Sequence, residues 1–526
     1  MFKRFLRSTS GNFALTFAVV SPAVLFAVGF GIDVTNLMSA KSDLQASLDA
    51  AVMAASRTGA TEVSREDTFD RFFASNVAGK QLLRDPKATI KVNETLVDIR
   101  NEGTATSHVD LKFMGLFGAD PLIKVTSVAF ESRKNVEVAL VLDNTGSMGA
   151  ANMKNLRDAA NSLVDTLRGM QGSGVSGRTV RAALVPFVTA VNIRGEGFKD
   201  SWIDNDAKSP LAGTNFAKVD GKSVNVQTLF KDLGVTWKGC VIARPAPHNL
   251  DDAAPDKKKP ETLFVPYFAP DEPGAFTDIA ASNDADKFNN SYIVDGTSNA
   301  ISVTDKKIQD AQKAEIANST KYKGAKTQIV DGPNSKNPNF TMGPNRACAT
   351  PIAPLTENLD SLKKQIDAMT FWNGSGTNVA EGLAWGRRVL SPGEPYTEGQ
   401  PFKDDHVSKW VVVFTDGTNE VYGAARTVYK SDYGAYGFLL DGRMGTDKSK
   451  AITQVNTWTS TMCTELKNQD VQIFTILLGV DSPTNRKLYG DCASKPEYYF
   501  GTNDPKKLKE IFNSISSIIA ALQFTG

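Results

Sequence analysis

The chain has 526 residues, too many for one small domain, and its length indicates about two to four domains. Its 59 Lys and Arg residues balance 58 Asp and Glu residues, and the net charge of +1 argues against a nucleic-acid or broadly acidic partner. The three histidines are scattered, so a histidine-rich zinc site is not expected.

The amino terminus carries a basic flank and then a long apolar stretch. Lys3, Arg4 and Arg7 precede the uncharged stretch Phe13–Ile32. These roughly 20 residues would span about 30 Å as a helix, the thickness of a bilayer core. A secretory signal has a shorter apolar core, so we expect a retained membrane anchor with the amino terminus inside and the remainder outside. A cleaved signal is the alternative, because Met38-Ser39-Ala40 could serve as a cleavage site.

The pattern continues as an amphipathic helix beyond the apolar stretch. Apolar residues recur at helical spacing along one stripe. The stripe consists of Leu37, Leu44, Leu48, Val52 and Ala55. We therefore take residues 1–58 as an anchor followed by a helix outside the membrane.

Residues 8–60 resemble the TadE/TadG-like group of Tad/Flp pilus-assembly proteins. The resemblance rests on Gly11-Asn12-Phe13-Ala14-Leu15, Pro22, Gly29, Gly31-Ile32-Asp33 and the helical stripe. It implies a single-pass bacterial inner-membrane protein with a cytoplasmic amino terminus, a periplasmic or extracellular bulk, and a role in assembling or anchoring a pilus. Pilin-like precursors are typically cut after a glycine with glutamate at the fifth mature position, whereas Gly11 would place Thr16 there, so a permanent anchor is expected. A generic anchor unrelated to pili is the alternative.

Residues 59–134 combine one helical pattern with short alternating runs. The helical piece is Phe69–Val77, and the alternating runs include Ala88–Val92 and Ile123–Thr126. Alternation of apolar and polar residues is typical of half-buried strands. A small, pilin-like α+β region is therefore expected.

Strand and helix patterns alternate over residues 135–526. The expected strands are short apolar runs that suit burial on both faces. They are Val136–Leu142, Thr179–Phe187, Trp410–Phe414 and Val471–Leu478. The expected helices are Met153–Leu167, Leu359–Met369, Asn378–Leu390, Ile452–Leu466 and a last one opened by Asp504-Pro505. This order predicts an α/β domain with a doubly wound, mostly parallel sheet.

One long region interrupts this alternation. Residues from about 190 to 350 are rich in Asp, Asn, Pro, Gly and Lys and show weak periodicity. Within it, Asp251–Pro260 is expected to be a surface loop. So many irregular residues are uncommon inside a compact core, so we interpret the region as an insertion between sheet elements.

The four cysteines are even in number and allow three pairings. In the oxidising compartment implied by export they are expected to form disulfides. We favour Cys240–Cys348, which would close the insertion, and Cys463–Cys492, which would tie a late helix to the following segment. Four buried free thiols are the alternative.

Oxygen-bearing residues stand at three places near the expected strand ends. Asp143-Asn144-Thr145-Gly146-Ser147 follows the first strand, Thr377 precedes a helix, and Asp416 follows Trp410–Phe414. Ligands of open α/β sheets bind beyond the carboxyl ends of the strands. Carboxylates and hydroxyls are hard ligands that suit Mg²⁺ and also Mn²⁺, and the pattern leaves Ca²⁺ open. A divalent metal site is therefore expected.

These segments resemble the von Willebrand factor A (VWA) family and its metal-ion-dependent adhesion site. The resemblance covers about 135–190 and 350–526, and the insertion departs from it. It implies a Rossmann-like fold and a site made of Asp143, Thr145, Ser147, Thr377 and Asp416. In that family the first-loop hydroxyls coordinate the metal directly, the later threonine does so in the ligand-competent state, and the aspartates often act through water. Thr145 stands where serine is commoner. A partner's carboxylate is then expected to provide the last ligand.

Two binding functions and one catalytic function compete. The first is a pilus assembly or adhesion factor that binds a protein partner through the metal, and the second is a surface adhesin independent of any pilus. An enzyme is not expected, because the sequence has neither a Gly-x-x-x-x-Gly-Lys-Ser/Thr loop for nucleotide phosphates nor a Gly-x-Ser-x-Gly elbow.

Four tyrosines follow Asp416 in a glycine-rich stretch: Tyr422, Tyr429, Tyr433 and Tyr436. Tyrosine is common at interfaces because it joins an apolar body to a polar tip. A recognition surface and ordinary loop packing are both open interpretations of this run.

Overall fold

A computed structural model describes most of the chain, and the basic residues Lys3, Arg4 and Arg7 lie outside the described part. The described residues are 11–57, 62–95, 98–132, 134–171, 179–274, 290–294, 304–330, 341–374, 376–423, 427–479, 482–521 and 524–525. The chain forms two compact units. Unit 1 comprises residues 1–134, 171–178 and 519–526, and unit 2 comprises residues 135–170 and 179–518.

Unit 1 combines two helices with an antiparallel sheet. Its helices are α1 (Gly11–Arg57) and α2 (Glu62–Val77). Its strands are β1 (Leu83–Glu94), β2 (Asp98–Val109), β3 (Leu122–Ser132) and the last strand of the chain, β14 (Phe524–Thr525). They are ordered β1-β2-β3-β14, and each neighbouring pair is antiparallel.

Helix α1 has two halves of different character. Its segment from Thr16 onward is long and apolar enough to cross a membrane, and Phe17, Leu25 and Val28 are exposed there. Farther along, the predicted stripe is half-buried at Leu37 and buried from Leu44 onward. Leu48 and Val52 pack over Gly103 of β2, where a Cβ would lie 2.4 Å from Val52. The apolar half is therefore mostly exposed, while the second half contributes to the core of unit 1.

Unit 2 contains the remaining elements, except that Gln171 and residues 519–521, at the ends of two helices, fall in unit 1. Its helices are α3 (Gly149–Gln171), α4 (Val226–Leu233), α5 (Lys306–Ile316), α6 (Leu359–Asp367), α7 (Val379–Leu390), α8 (Lys448–Asn468), α9 (Pro483–Cys492) and α10 (Leu508–Ala521). Its strands are β4 (Asn135–Asp143), β5 (Val180–Phe187), β6 (Val191–Asn192), β7 (Cys240–Val241), β8 (Ala353–Thr356), β9 (Gly376–Thr377), β10 (Val407–Thr415), β11 (Glu420–Val421), β12 (Gln472–Leu478) and β13 (Tyr499–Thr502).

The main sheet of unit 2 is mixed. Its order is β13-β12-β10-β4-β5-β6-β7, and β8 also pairs with β5. The five strands from β13 to β5 run parallel, whereas β6, β7 and β8 pair antiparallel. The parallel strands β4 and β10 are buried almost throughout, as their apolar runs predict. The doubly wound arrangement of helices on both faces stays a prediction.

The insertion contributes more to the core than its weak periodicity suggests. Trp202, Phe264, Tyr267 and Phe268 are all at most 1% exposed. Trp202 ends the single 3₁₀ turn Asp200–Trp202 and the other three lie outside regular elements, so these side chains follow neither helical nor strand spacing. The expected surface loop Asp251–Pro260 is half-exposed, but its backbone is bound from inside, because the buried guanidinium of Arg244 donates to the carbonyl oxygens of Asp251 and Ala253.

Both favoured disulfides are confirmed. Cys240 is bonded to Cys348, with 108 residues of sequence separation, and Cys463 is bonded to Cys492, with a separation of 29. The first joins strand β7 to the end of the insertion. The second joins helices α8 and α9.

Candidate metal-binding site

The loop after β4 is shaped by its own first residue. Asp143 is fully buried, and its Oδ1 accepts a hydrogen bond from the backbone N–H of Thr145 at 2.8 Å. A single 3₁₀ turn, Gly146–Met148, then leads into helix α3. Gly146 permits a close approach here, because a Cβ would lie 1.8 Å from Oδ1 of Asn373. The loop is thus held by Asp143 and packed closely against the segment that precedes Thr377.

Strand register places the β10 loop beside the β4 loop. Leu142 pairs with Phe414 in the parallel ladder, so the next residues, Asp143 and Thr415, lie side by side. The hydroxyl of Thr415 donates to Oδ2 of Asp143 at 2.7 Å. Asp416 then emerges at the same sheet edge as Ser147.

Three side chains form a continuous line of oxygen atoms. The Oγ1 of Thr145 lies 3.0 Å from the Oγ of Ser147, and that hydroxyl donates to Oδ1 of Asp416 at 2.8 Å. Ser147 is exposed, Asp416 is half-buried and Thr145 is buried. The line is therefore buried at Thr145 and open to solvent at Ser147, where a partner could reach it.

Thr377 is near this line but is not joined to it. It lies in β9, which pairs antiparallel with β11 so that Thr377 faces Glu420. Its neighbour Gly376 has a φ of +98° and no room for a Cβ, which would lie 2.1 Å from the Glu420 carbonyl oxygen. Among the described contacts, no hydrogen bond connects Thr377 to Asp143, Thr145, Ser147 or Asp416.

Two contacts nevertheless tie the Thr377 segment to the other two loops. The backbone N–H of Trp372 donates to the carbonyl oxygen of Asn144 at 2.8 Å. The side-chain oxygen of Asn419 accepts from the N–H of Val379 at 2.8 Å, at the first turn of α7. All three predicted segments therefore meet at one edge of the sheet.

The two carboxyl groups are electrostatically strained without a cation. Burial raises the pKa of Asp143, against the hydrogen bonds from Thr145 and Thr415. Burial and then the nearby charge of Asp143 raise the pKa of Asp416 to about 7. A divalent cation between them would offset both effects, because it stabilises the charged forms.

The oxygen atoms lie at ordinary hydrogen-bond distances, which are also close to the ligand spacing of an octahedral ion. Adjacent ligands of an octahedral ion with bonds near 2.1 Å are about 3.0 Å apart. The distances from Ser147 Oγ to Thr145 Oγ1 and to Asp416 Oδ1 are 3.0 and 2.8 Å. The described residues include no group of three or more His, Cys, Asp and Glu side chains suited to a metal, so only hydroxyls and paired carboxylates support an ion here.

Several supporting residues were not identified from the sequence. Thr415 precedes Asp416 and bonds to Asp143, and Asn419 follows Asp416 by three residues and bonds to the N–H of Val379. The sequence motif that could have indicated Thr415 is Thr415-Asp416-Gly417. The tyrosine run is mainly packing: Tyr433 and Tyr436 are 8% and 3% exposed, whereas Tyr422 is 55% exposed.

The amino-terminal region matches a protein family. Residues 11–60 match the family described as putative Flp pilus-assembly TadE/G-like. The matched range covers helix α1, whose apolar half fits a single-pass membrane anchor. A comparison with curated proteins finds no match.

The solved structures to which the chain is similar include proteins of pili. The vWF domain of the type V pili tip protein Mfa5 from Porphyromonas gingivalis is 12% identical, covering 75% of this chain and 97% of that chain, with a TM-score of 0.33. The pilus adhesin RrgA from Streptococcus pneumoniae is 10% identical, covering 84% and 50%, with a TM-score of 0.32. Proximal thread matrix protein 1 from the mussel byssus, with a zinc occupied MIDAS motif, is 13% identical, covering 74% and 96%, with a TM-score of 0.20.

The chain spans only part of some of these proteins. It covers 50% of RrgA and 48% of the mussel protein in another of its structures. With identities this low and TM-scores below 0.5, these similarities carry no inference about fold or function.

Proposed function

We propose that this chain is a membrane-anchored Tad/Flp pilus assembly or adhesion factor whose extracytoplasmic α/β unit binds a protein partner through a divalent metal. The observation that carries the proposal is the line of oxygen atoms from Thr145 through Ser147 to Asp416, which opens to solvent at Ser147. The proposed metal site comprises Asp143, Thr145, Ser147, Thr377 and Asp416.

The anchor and the disulfides support the location. The apolar half of α1 follows the basic residues Lys3, Arg4 and Arg7, which favours a cytoplasmic amino terminus in the bacterial inner membrane. The rest of the chain then lies in the periplasm or outside the cell. Its two disulfides suit such an oxidising compartment.

The residues of the proposed site would have different roles in metal binding. Asp143 already uses both carboxylate oxygens, one on the Thr145 N–H and one on the Thr415 hydroxyl. It would therefore orient the loop and supply charge, while the hydroxyls of Thr145 and Ser147 would coordinate the ion. Thr377 would add a further hydroxyl when the partner's ligand is bound.

The metal would supply an electrophilic position for a ligand. Mg²⁺ usually keeps several waters when few protein groups bind it. A carboxylate from a protein partner, such as a pilus component, could replace one of these waters. We favour Mg²⁺, with Mn²⁺ or Ca²⁺ as alternatives, and propose neither a nucleotide nor a nucleic-acid ligand.

Metal titration of the full chain in detergent micelles tests the site. Calorimetry with MgCl₂, MnCl₂ and CaCl₂ should show saturable binding to the wild type, weakened at least about tenfold by Ser147→Ala. Ser147 is exposed, so this change should not disturb folding. The matched control is Ser514→Ala, at an exposed position of α10. Equal binding by wild type and Ser147→Ala would refute the proposed ligand set.

Complementation of a deletion strain tests the biological role. Wild-type chain and Ser514→Ala should restore pili, while Ser147→Ala should not. Normal pili in the deletion strain, with loss of surface attachment, would instead identify a pilus-independent adhesin.

A further inference from the structure

An apolar tip lies between strands β2 and β3. It consists of Phe113–Phe117 (Phe-Met-Gly-Leu-Phe), and two of its side chains face solvent: Leu116 is 80% exposed and Phe117 is 72% exposed. No ionisable residue occurs from Phe113 to Ala119, whereas Lys112 and Asp120 bound the segment. An uncharged tip with a charged rim is unusual on a surface that faces only water.

The tip packs directly on the apolar half of α1. The ring of Phe113 lies 5.3 Å from that of Phe26, edge to face, and the ring of Phe117 lies 6.3 Å from Phe26. Gly29 provides the space, because a Cβ there would lie 2.5 Å from the Phe113 ring. The tip is therefore in contact with the proposed membrane-spanning segment itself.

A buried carboxylate holds the tip in this position. Asp33 of α1 is 1% exposed, and its two oxygens accept hydrogen bonds from the backbone N–H groups of Lys112, Phe113 and Met114. These three donors begin the 3₁₀ turn Met114–Phe117. Asp33 thus caps the turn and joins it to the helix just after the uncharged stretch, which ends at Ile32.

The contact with Phe26 indicates how deep the tip lies along the proposed membrane-spanning segment. Phe26 precedes Ile32 by six residues, which is about 9 Å along a helix axis. Around Phe26, the side chains of Val24, Leu25 and Val28 are 53%, 66% and 55% exposed. If these side chains face lipid, the tip is level with the hydrocarbon and not with the water beyond it.

We propose that Phe113–Phe117 inserts into the outer part of the bilayer beside the anchor, with lipid acyl chains covering Leu116 and Phe117. Amphipathic segments at a membrane surface bury their apolar side chains about 5–10 Å into the headgroup and acyl boundary, which matches this depth. The tip would fix the small sheet of unit 1 at a defined height on the membrane. This inference depends on the anchor part of the proposed function, but not on the metal site.

Labelling of a single new thiol in the full chain tests the insertion. The four native cysteines are in disulfides, so Leu116→Cys can be labelled selectively with an environment-sensitive NBD fluorophore. The protein is reconstituted in vesicles of phosphatidylethanolamine and phosphatidylglycerol, with or without lipids that carry a nitroxide on the acyl chain. We expect blue-shifted emission and quenching at least about threefold stronger than at the control position.

Two further positions make the outcome unambiguous. Lys91→Cys is the matched control, because Lys91 is exposed on β1 and far from the tip. Lys91 pairs with Glu102 of β2, which is about 23 Å along the strand from Val109, the end of β2 nearest the tip. Val20→Cys, on the exposed apolar half of α1, reports the anchor itself.

Each alternative result overturns the inference in a distinct way. Quenching at Val20 but not at Leu116 would leave the anchor standing and show that the tip stays in water. Blue-shifted emission at Leu116 without quenching would show that a protein, not lipid, covers the tip. No quenching at either position would remove the membrane anchor on which the inference rests.

Discussion

The hydroxyl of Thr415 donates a hydrogen bond to Oδ2 of Asp143, 2.7 Å away on the neighbouring parallel strand. The other oxygen of Asp143 accepts the N–H of Thr145 at 2.8 Å. Both oxygens of a fully buried carboxylate are thus engaged before any metal binds. Asp143 therefore connects the end of β10 to the loop that carries Thr145 and Ser147.

Loss of the Thr415 hydroxyl should weaken metal binding, although Thr415 is not one of the proposed metal ligands. Thr415→Val removes one hydrogen bond to a buried carboxylate, which costs about 1–3 kcal/mol of stability. We expect a lower unfolding temperature and weaker Mg²⁺ binding by calorimetry. Thr415→Ser keeps the hydroxyl and is the control; equal losses in both variants would contradict this role of the hydrogen bond.

Neutralising Asp416 should stabilise the metal-free protein while abolishing metal binding. The pKa of Asp416 is raised to about 7 by burial and by the charge of Asp143, so its ionised form is unfavourable without a cation. In EDTA at pH 8, Asp416→Asn should raise the unfolding temperature by about 2 °C, which corresponds to roughly 1 kcal/mol.

The same variant should lose the increase in unfolding temperature that Mg²⁺ gives to the wild type. Opposite effects of one substitution, measured by calorimetric scanning with and without Mg²⁺, are the expected signature of a binding site. A lower unfolding temperature of Asp416→Asn in EDTA would show that this carboxylate is structural.

Asp271 should make the stability of unit 2 depend on pH. Burial raises its pKa to about 6, although Lys321 lies 2.7 Å away and opposes the shift. Since the folded pKa is above the ordinary value of 3.8, the folded state binds the proton more tightly. Asp271 therefore contributes stability at low pH that is lost as the pH rises through about 6.

Urea unfolding of wild type and Asp271→Asn at pH 4, 5, 6 and 7 measures this contribution. The asparagine can still accept the N–H groups of Tyr292 and Ile293. Relative to the variant, the wild type should gain on the order of 1–3 kcal/mol as the pH falls from 6 to 4. Parallel stability curves would contradict the raised pKa. Asp310→Asn, on the exposed side of α5, is the control.

The two disulfides should differ in their effect on stability. They separate residues by 108 and 29 positions, and the chain-entropy relation gives about 5 and about 4 kcal/mol respectively. Replacing Cys240 and Cys348 by serine should therefore destabilise the chain by about 1 kcal/mol more than replacing Cys463 and Cys492. Denaturant unfolding of the two double variants checks the order, and the reverse order would show that local packing outweighs loop closure.

Regular elements were accessible from the sequence because their side chains repeat with the period of the backbone. The apolar runs of β4 and β10 and the stripe Leu44–Ala55 of α1 needed no tertiary information. The aromatic core of the insertion was not accessible, because Trp202 and Phe264 lie outside the α-helices and β-strands and follow neither period. For the same reason, packing and recognition could not be separated for Tyr433 and Tyr436.

The sequence by itself determined which polar residues stand at the ends of strands. Buried parallel strands have a recognisable apolar composition, and the first polar residues after such a run mark the end of the strand. Asp143 and Asp416 were identified in this way. Only the tertiary structure decided which of these groups meet. Strand order and register bring Thr415 to Asp143, and chain folding puts Phe113 against Gly29 and Asp33 under the tip. Such contacts join residues far apart in the chain, and no local periodicity records them.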